Sequence, residues 1–166
     1  MRASRLVLPI LTGGCLMAGA VCAAPDAAPV RRAGFWETTM TLEGASAHTM
    51  VTKACTDAAL ERRTAAFGDA KDCPTHEMHR TADGFAFRSI CVRNGVTTTT
   101  AGAIKGDLTS RYRVEATTRI SSAGGGPGRE RHTVMDNRRL GDCPAGRKPG
   151  DLVLSNGQVL SMGGPQ

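Results

Sequence analysis

The chain has 166 residues, a formal net charge of +6 and only 4% aromatic residues. This length suits a single domain of ordinary size preceded by a leader. The basic residues are mostly arginines scattered along the chain rather than gathered in one block. Together with the low aromatic content, this distribution argues against a protein that binds nucleic acid.

The first 23 residues have the pattern of a secretory signal peptide. Arg2 and Arg5 form a positive amino-terminal region, residues 6–21 are apolar and uncharged, and Val21-Cys22-Ala23 is a small-x-small cleavage pattern. The apolar stretch is shorter than the roughly 20 residues of a membrane span. We therefore expect cleavage near Ala23, a periplasmic or secreted mature protein, and no transmembrane span in the mature chain.

The cysteines also favour a periplasmic or secreted location. The two within the signal segment are not preceded by a lipidation box, so a lipid anchor is not expected. The other four are expected to form two disulfides in an oxidising compartment. A predicted local hairpin favours Cys73 with Cys91, which leaves Cys55 with Cys143, among three possible connectivities. A two-residue turn at Asp83-Gly84 would place Cys73 and Cys91 three positions out of register, so their disulfide requires a bulge or a bend in the chain.

The mature chain is predicted to start with a flexible Ala/Pro-rich leader over residues 24–33, followed by one domain over residues 34–166. Residues 34–42 alternate in polarity, which predicts a half-buried strand with Trp36 and every second residue after it on one face. A second strand is predicted near 48–55.

A short helix is predicted after this second strand. Thr56 is a suitable N-cap. Leu60, Thr64 and Phe67 then fall on one helix face, and Gly68 is a suitable residue to end the helix. The prediction therefore gives the domain a single helix, placed between its second and third strands.

Further strands are predicted over 74–81 and 85–93, joined by the turn at Asp83-Gly84. Asn94-Gly95 is a strong hairpin signal and leads into a β-branched run at 96–100. Both turns connect strands that follow each other directly along the chain. The central part of the domain is therefore expected to be antiparallel.

The clearest alternation follows Gly106-Asp107 and predicts a strand over 108–120 with one face for a core and one for water. Residues 121–128 are predicted to be a flexible loop, and a last strand is predicted near 130–140. Short strands in series predict a mainly β fold. We expect an antiparallel meander that forms a curved sheet or a partly closed barrel, with one short helix and two disulfides.

The sequence contains no assembled catalytic or cofactor motif. Gly124 to Gly128 is glycine-rich but lacks the residues of a phosphate-binding loop. His76-Glu77-Met78-His79 lacks the zincin spacing, and on a strand its two histidines face opposite sides. No catalytic residue, cofactor or metal site is assigned, and the sequence favours a protein that is not an enzyme.

Gly34-Phe35-Trp36 with Arg138-Arg139 near the end of the last strand resembles the lipocalin-type pattern, in which an arginine stacks over the tryptophan of a Gly-x-Trp strand. A guanidinium lies well on an indole face. The simpler interpretation, which we prefer, is a tryptophan buried in the core.

The whole mature chain resembles the proteobacterial domain-of-unknown-function family 3617 (DUF3617). The motifs that carry the resemblance are Gly34-Phe35-Trp36-Glu37, Cys55-Thr56-Asp57, Cys73 and Cys91, Gly106-Asp107, Arg138 to Pro144 and Lys148-Pro149-Gly150-Asp151. The resemblance implies a small, exported, disulfide-bearing β domain. It implies no activity, cofactor or catalytic residue.

Our first functional hypothesis is a non-enzymatic periplasmic or envelope protein that binds a small ligand or an envelope partner on the concave face of its sheet. Its contact candidates are Trp36, Phe85, Phe87 and Tyr112, although core packing is the simpler explanation for each.

Two alternatives remain open at this stage. One is a structural or stress-related envelope factor without a pocket, acting through a basic outer face that includes Arg111, Arg113 and Arg119. The other is a hydrolase whose His and carboxylate groups are dispersed in the sequence. A cleft that holds two titratable groups within hydrogen-bonding distance would support the hydrolase.

Overall fold

A computed structural model describes residues 29–44, 47–65, 72–122 and 128–161 of the chain. The signal peptide, the predicted end of the helix at Gly68 and most of the glycine-rich loop lie outside these residues. The elements are β1 (Gly34–Glu43), β2 (His48–Thr56), α1 (Ala58–Ala65), β3 (Thr75–Thr81), β4 (Gly84–Arg93), β5 (Val96–Asp107), β6 (Arg111–Ser122), β7 (Arg129–Gly141), β8 (Asp151–Val153) and β9 (Val159–Ser161).

The nine strands form one antiparallel sheet in the order β3-β4-β5-β6-β7-β1-β2-β8-β9. Strands β3 to β7 form a meander, and the chain's first strand lies beside its seventh. Strands β3 and β9 each pair on one side only, so the sheet is open among the described residues. The predicted mainly β meander is thus confirmed as an open sheet rather than a partly closed barrel.

Two hairpin turns were predicted from glycine-containing pairs, and one of them is displaced. Asn94 and Gly95 both have positive φ, 51° and 74°, as a type I′ turn requires. The other turn is formed by Ala82 and Asp83, because Thr81 pairs with Gly84. The prediction of Asp83-Gly84 was therefore wrong by one residue. Gly84 begins β4, where a Cβ atom would lie 1.9 Å from the Ile104 carbonyl oxygen.

The displaced turn also changes the geometry expected around the local disulfide. Thr75 pairs with Ile90, so Cys73 lies only one residue beyond the position opposite Cys91. Cys73 and Cys91 are therefore offset by one position, not by the three positions that the predicted turn implied. The two disulfides of the predicted fold are present and join Cys73 with Cys91 and Cys55 with Cys143.

The helix begins one residue later than predicted, and its N-cap is Asp57 rather than Thr56. The Leu60 amide donates to Asp57 Oδ1 at 2.7 Å, which satisfies one of the free N–H groups of the first turn. Thr56 is not available as a cap because it is the last residue of β2 and pairs with Gly34.

The carboxyl-terminal part of the sheet differs most from the prediction. Residues 108–110 form the turn between β5 and β6, so Leu108 precedes β6 instead of beginning it as predicted. Asp107 accepts hydrogen bonds from the Thr109 amide and hydroxyl, which fixes this turn. Strands β8 and β9 were not predicted, because three residues are too few to show a periodicity.

The register of the strands defines two faces, since cross-strand partners point to the same side of a sheet. We call them the Trp36 face and the Glu37 face, after neighbouring residues of β1. The buried hydrophobic residues among those described are Trp36, Cys55, Cys73, Phe85, Ala116 and Val134. This core is small for nine strands, and it leaves most of the Trp36 face half-buried.

Candidate ligand-binding face

Trp36 lies at the centre of a cluster at one end of its face. The indole has no exposed surface, and its N–H donates to the Arg32 carbonyl oxygen at 2.8 Å. The Tyr112 ring meets it edge-on, with centroids 5.5 Å apart and planes at 63°. The Arg31 guanidinium lies 5.4 Å from the indole centroid, within cation–π range.

A carboxylate from the helix fixes this arginine. Arg31 Nε lies 2.8 Å from Glu61 Oε1, and the Thr56 hydroxyl donates to the same oxygen at 2.5 Å. Arg31 Nη1 lies 3.4 Å from the Tyr112 hydroxyl, and burial raises the pKa of Tyr112. Arg31, Trp36, Thr56, Glu61 and Tyr112 form what we call the Trp36 cluster.

The arginine over Trp36 is therefore not one of the pair suggested by the lipocalin-type pattern. Arg138 is paired with Glu37 at 2.8 Å on the opposite face. Arg139 donates to the Ala33 carbonyl oxygen at 3.0 Å. The last residues of the segment predicted as a leader are thus bound to the sheet, and the contacts of the domain extend back to Arg31.

Beyond this cluster, two consecutive rows of the Trp36 face consist of apolar residues except for Thr133; we call them the apolar band. The first row consists of Met50, Met40, Met135, Val114, Ile104 and Phe85 on strands β2, β1, β7, β6, β5 and β4. The second row consists of Leu42, Thr133, Ala116, Gly102, Phe87 and Met78 on strands β1, β7, β6, β5, β4 and β3.

No described element packs over the apolar band. Among the described residues, extensive contacts between elements are confined to neighbouring strands of the sheet. Phe85 and Ala116 are buried by their neighbours, whereas Met50 is 38% exposed and the other members are intermediate. An apolar sheet face is normally covered by a second layer, and an uncovered one marks a site of interaction.

The four aromatic residues singled out in the sequence all lie on this face. Phe85 and Phe87 belong to the apolar band. Trp36 and Tyr112 belong to the cluster at its end, where Trp36 is part of the core. The Phe87 ring lies over Gly102, where a Cβ atom would come within 2.7 Å of Phe87 Cζ.

Sequence reasoning missed the methionines that dominate the first row. Met40, Met50 and Met135 come from three strands and meet only through the register of the sheet. No local motif signals their proximity, although the alternation of β1 already placed Met40 on the face of Trp36.

The Glu37 face is charged, but its arginines are largely neutralised. Arg113 lies 2.8 Å from both Glu115 and Asp136, and Arg119 lies 2.6 Å from Glu130. Arg111 makes no ion pair with any described residue. Two of the three arginines proposed as a basic contact surface thus already have carboxylate partners, which weakens the case for an envelope factor that acts through this basic face.

Carboxylates line two depressions. One, of about 590 Å³, includes Asp83 and Asp107, whose pKa values are lowered by hydrogen bonds from Lys105 and from Thr109, respectively. The other, of about 280 Å³, lies on the Glu37 face. Its lining includes Glu37, Asp136, Arg111 and Arg138. Arg138 and Lys53 lower the pKa of Glu37 through a hydrogen bond and charge attraction. A general acid needs a raised pKa near neutrality, so the arrangement does not favour the hydrolase hypothesis.

His76 and His79 lie on opposite faces of β3, with Ser89 and Ala86 as cross-strand partners. The part of the chain that the structure describes contains no group of three or more His, Cys, Asp or Glu side chains placed to hold a metal ion. In the same part, no helix is long and apolar enough to cross a membrane.

Surface carboxylates make stability sensitive to acid. Arg113 lowers the pKa of Glu115, and hydrogen bonds from Thr109 and Ser110 lower that of Asp107. A carboxyl with a lowered folded-state pKa stabilises the protein above its unfolded pKa, and this contribution is lost as pH falls through the folded pKa. We expect a constant thermal midpoint from pH 7 to about 5 and a progressive decrease below about pH 4.

Thermal unfolding followed by circular dichroism tests this expectation. Glu115→Gln should reduce the steepness of the decrease in acid because it removes one of the titrating groups. A midpoint that stays constant down to pH 2 would contradict the assignment of these ion pairs and hydrogen bonds.

The described residues define a class of protein: an antiparallel β domain with a single open sheet, two disulfides and an apolar face over which no described element packs. The chain belongs to the family described as "Protein of unknown function (DUF3617)", whose model matches residues 31–143. The match starts at the arginine over Trp36 and ends at the last disulfide cysteine, which confirms the predicted family. No curated protein and no solved structure matched the chain.

Proposed function

We propose that this protein is an exported, non-enzymatic binding module that holds the apolar part of a small ligand against the apolar band. Two disulfides are compatible with an exported protein, since such bonds persist in oxidising compartments. The observation that carries the proposal is the band itself, two apolar rows that no described element covers.

The size of the band favours a small ligand over a protein partner. Each row crosses six strands about 4.8 Å apart and is about 7 Å wide, so the two rows together have an outline of roughly 400 Å². Each partner in a stable protein complex buries about 800 Å². The band is thus too small to be a complete protein interface, and its size is that of a functional apolar patch.

The composition of the band suits a flexible apolar chain. Four of its members are methionines, at positions 40, 50, 78 and 135. Unbranched, polarisable methionine side chains adapt to ligands of different shape. A ligand with an alkyl chain could therefore lie across the strands without requiring one fixed pocket.

Binding of N-phenyl-1-naphthylamine, an uncharged fluorescent apolar probe, tests the proposal. We expect saturable binding to the mature protein, weakened about tenfold by Met135→Gln because one apolar contact worth about 1.5 kcal/mol is lost. Val51→Gln is the control, since Val51 is 37% exposed and lies on the Glu37 face. The control should bind the probe within twofold of the wild type.

Circular dichroism spectra should show that both variants remain folded. The proposal is wrong if the wild-type protein does not bind the probe at all. It is equally wrong if the substitutions on the two faces weaken binding to the same extent, because the apolar band would then not be the site.

A further inference from the structure

A polar row lies next to the apolar band on the Trp36 face. The register aligns five residues, Arg131, Thr118, Thr100, Ser89 and His76, on strands β7, β6, β5, β4 and β3. Each lies two positions along its strand from a member of the second apolar row. The Thr100 and Thr118 hydroxyls are 3.2 Å apart, so the pair retains one hydroxyl hydrogen that can be donated to a ligand.

The row carries uncompensated positive charge at its β7 end. Arg131 is exposed and makes no ion pair with the described residues. Arg129 lies two positions away on the same face, opposite Ile120. It is also exposed and makes no ion pair with the described residues. This differs from Arg113 and Arg119 on the opposite face, which have carboxylate partners. Two cationic side chains that make no ion pair within the described part of the chain thus lie beside the apolar band.

We propose that the ligand is an anionic amphiphile, an alkyl chain with a carboxylate or phosphate head group; this inference rests on the proposed function above. The alkyl chain lies on the apolar band. The head group lies on the polar row, where Arg131 donates two hydrogen bonds and the Thr100–Thr118 pair donates one more through its remaining hydroxyl hydrogen. A guanidinium matches the geometry of both carboxylate and phosphate oxygens.

Displacement of N-phenyl-1-naphthylamine by dodecanoate and by dodecanol, which share a chain length and differ in charge, tests the inference. At low salt and pH 8, dodecanoate should bind about tenfold more tightly than dodecanol. Arg131→Gln should remove this preference without changing dodecanol binding. Arg111→Gln is the control, because it removes the same charge from an exposed arginine of the Glu37 face, and it should leave the preference intact.

The outcomes separate the inference from the function on which it rests. If neither compound displaces the probe, the proposed function fails. If both bind equally well to the wild-type protein, the function stands and the anionic head group is wrong. Equal effects of Arg111→Gln and Arg131→Gln would also overturn the inference, because net charge rather than the polar row would set the preference.

Two further ligands identify the head group. Dodecyl phosphate binding more tightly than dodecanoate assigns a phosphate head, and the reverse order assigns a carboxylate. Inorganic phosphate alone should not displace the probe at the same concentration. If it does, the site recognises a free anion, and an amphiphile is excluded.

Discussion

Replacing Trp36 by alanine is expected to lower the free energy of unfolding by about 3–5 kcal/mol. Trp36 is the largest fully buried side chain among the described residues. Its loss removes the surface on which Arg31 and Tyr112 pack. It also leaves the Arg32 carbonyl oxygen without the indole donor. Urea unfolding followed by circular dichroism measures the change.

Two further variants show whether this loss is specific. Trp36→Phe keeps a buried ring but loses the indole N–H, so it should be destabilised by less than the alanine variant. Leu160→Ala truncates a side chain that is 41% exposed on an edge strand, and it should change stability by no more than about 0.5 kcal/mol. A similar loss in Trp36→Ala and Leu160→Ala would show that the cluster is not the centre of the core.

Removing the Cys55–Cys143 disulfide is expected to cost more stability than removing the Cys73–Cys91 disulfide. The two bonds close loops with sequence separations of 88 and 18 residues. The chain-entropy relation assigns about 4.6 kcal/mol to the longer loop and about 3 kcal/mol to the shorter one. Urea unfolding of the two double-alanine variants, without reductant, compares them directly.

The structure gives a second reason for this order. Strand β8 pairs with β2 at only two positions, Lys53 with Val153 and Ala54 with Leu152. The Gly150 amide adds one hydrogen bond to the Cys55 carbonyl oxygen, at 2.9 Å. The long-range disulfide therefore provides much of the attachment of β8 and β9. A larger loss of stability on removing the local disulfide would contradict this account.

The two stabilising features lie outside the apolar band. The Trp36 cluster packs at one end of the face, and the Cys55 sulfur belongs to the opposite face, since Cys55 pairs with Phe35. Two band members, Phe85 and Ala116, are themselves buried, but the largest buried side chain and the long-range disulfide lie outside the band, over which no described element packs. This separation explains how one sheet can be stable while one of its faces presents an apolar surface.

Several features of the fold followed from the sequence by itself, because they depend on neighbours along the chain. Alternation of polar and apolar residues predicts β1 and β6, and the positive φ angles favoured by Asn94-Gly95 predict one hairpin. The cysteine count predicts two disulfides. The motifs from Gly34 to Asp151 identify the family. Each of these signals is contained in a short segment or in an ordered set of motifs.

Other features were decided only by the tertiary structure, because they depend on which strands become neighbours. Arg31 meets Trp36 and Glu61 through the packing of three separate segments. The apolar band and the polar row each draw one residue from each of several strands, so a shift of one position in register would move their members to the other face. Local sequence patterns predicted the strands from β1 to β7, and the pairing of those strands determined the candidate site.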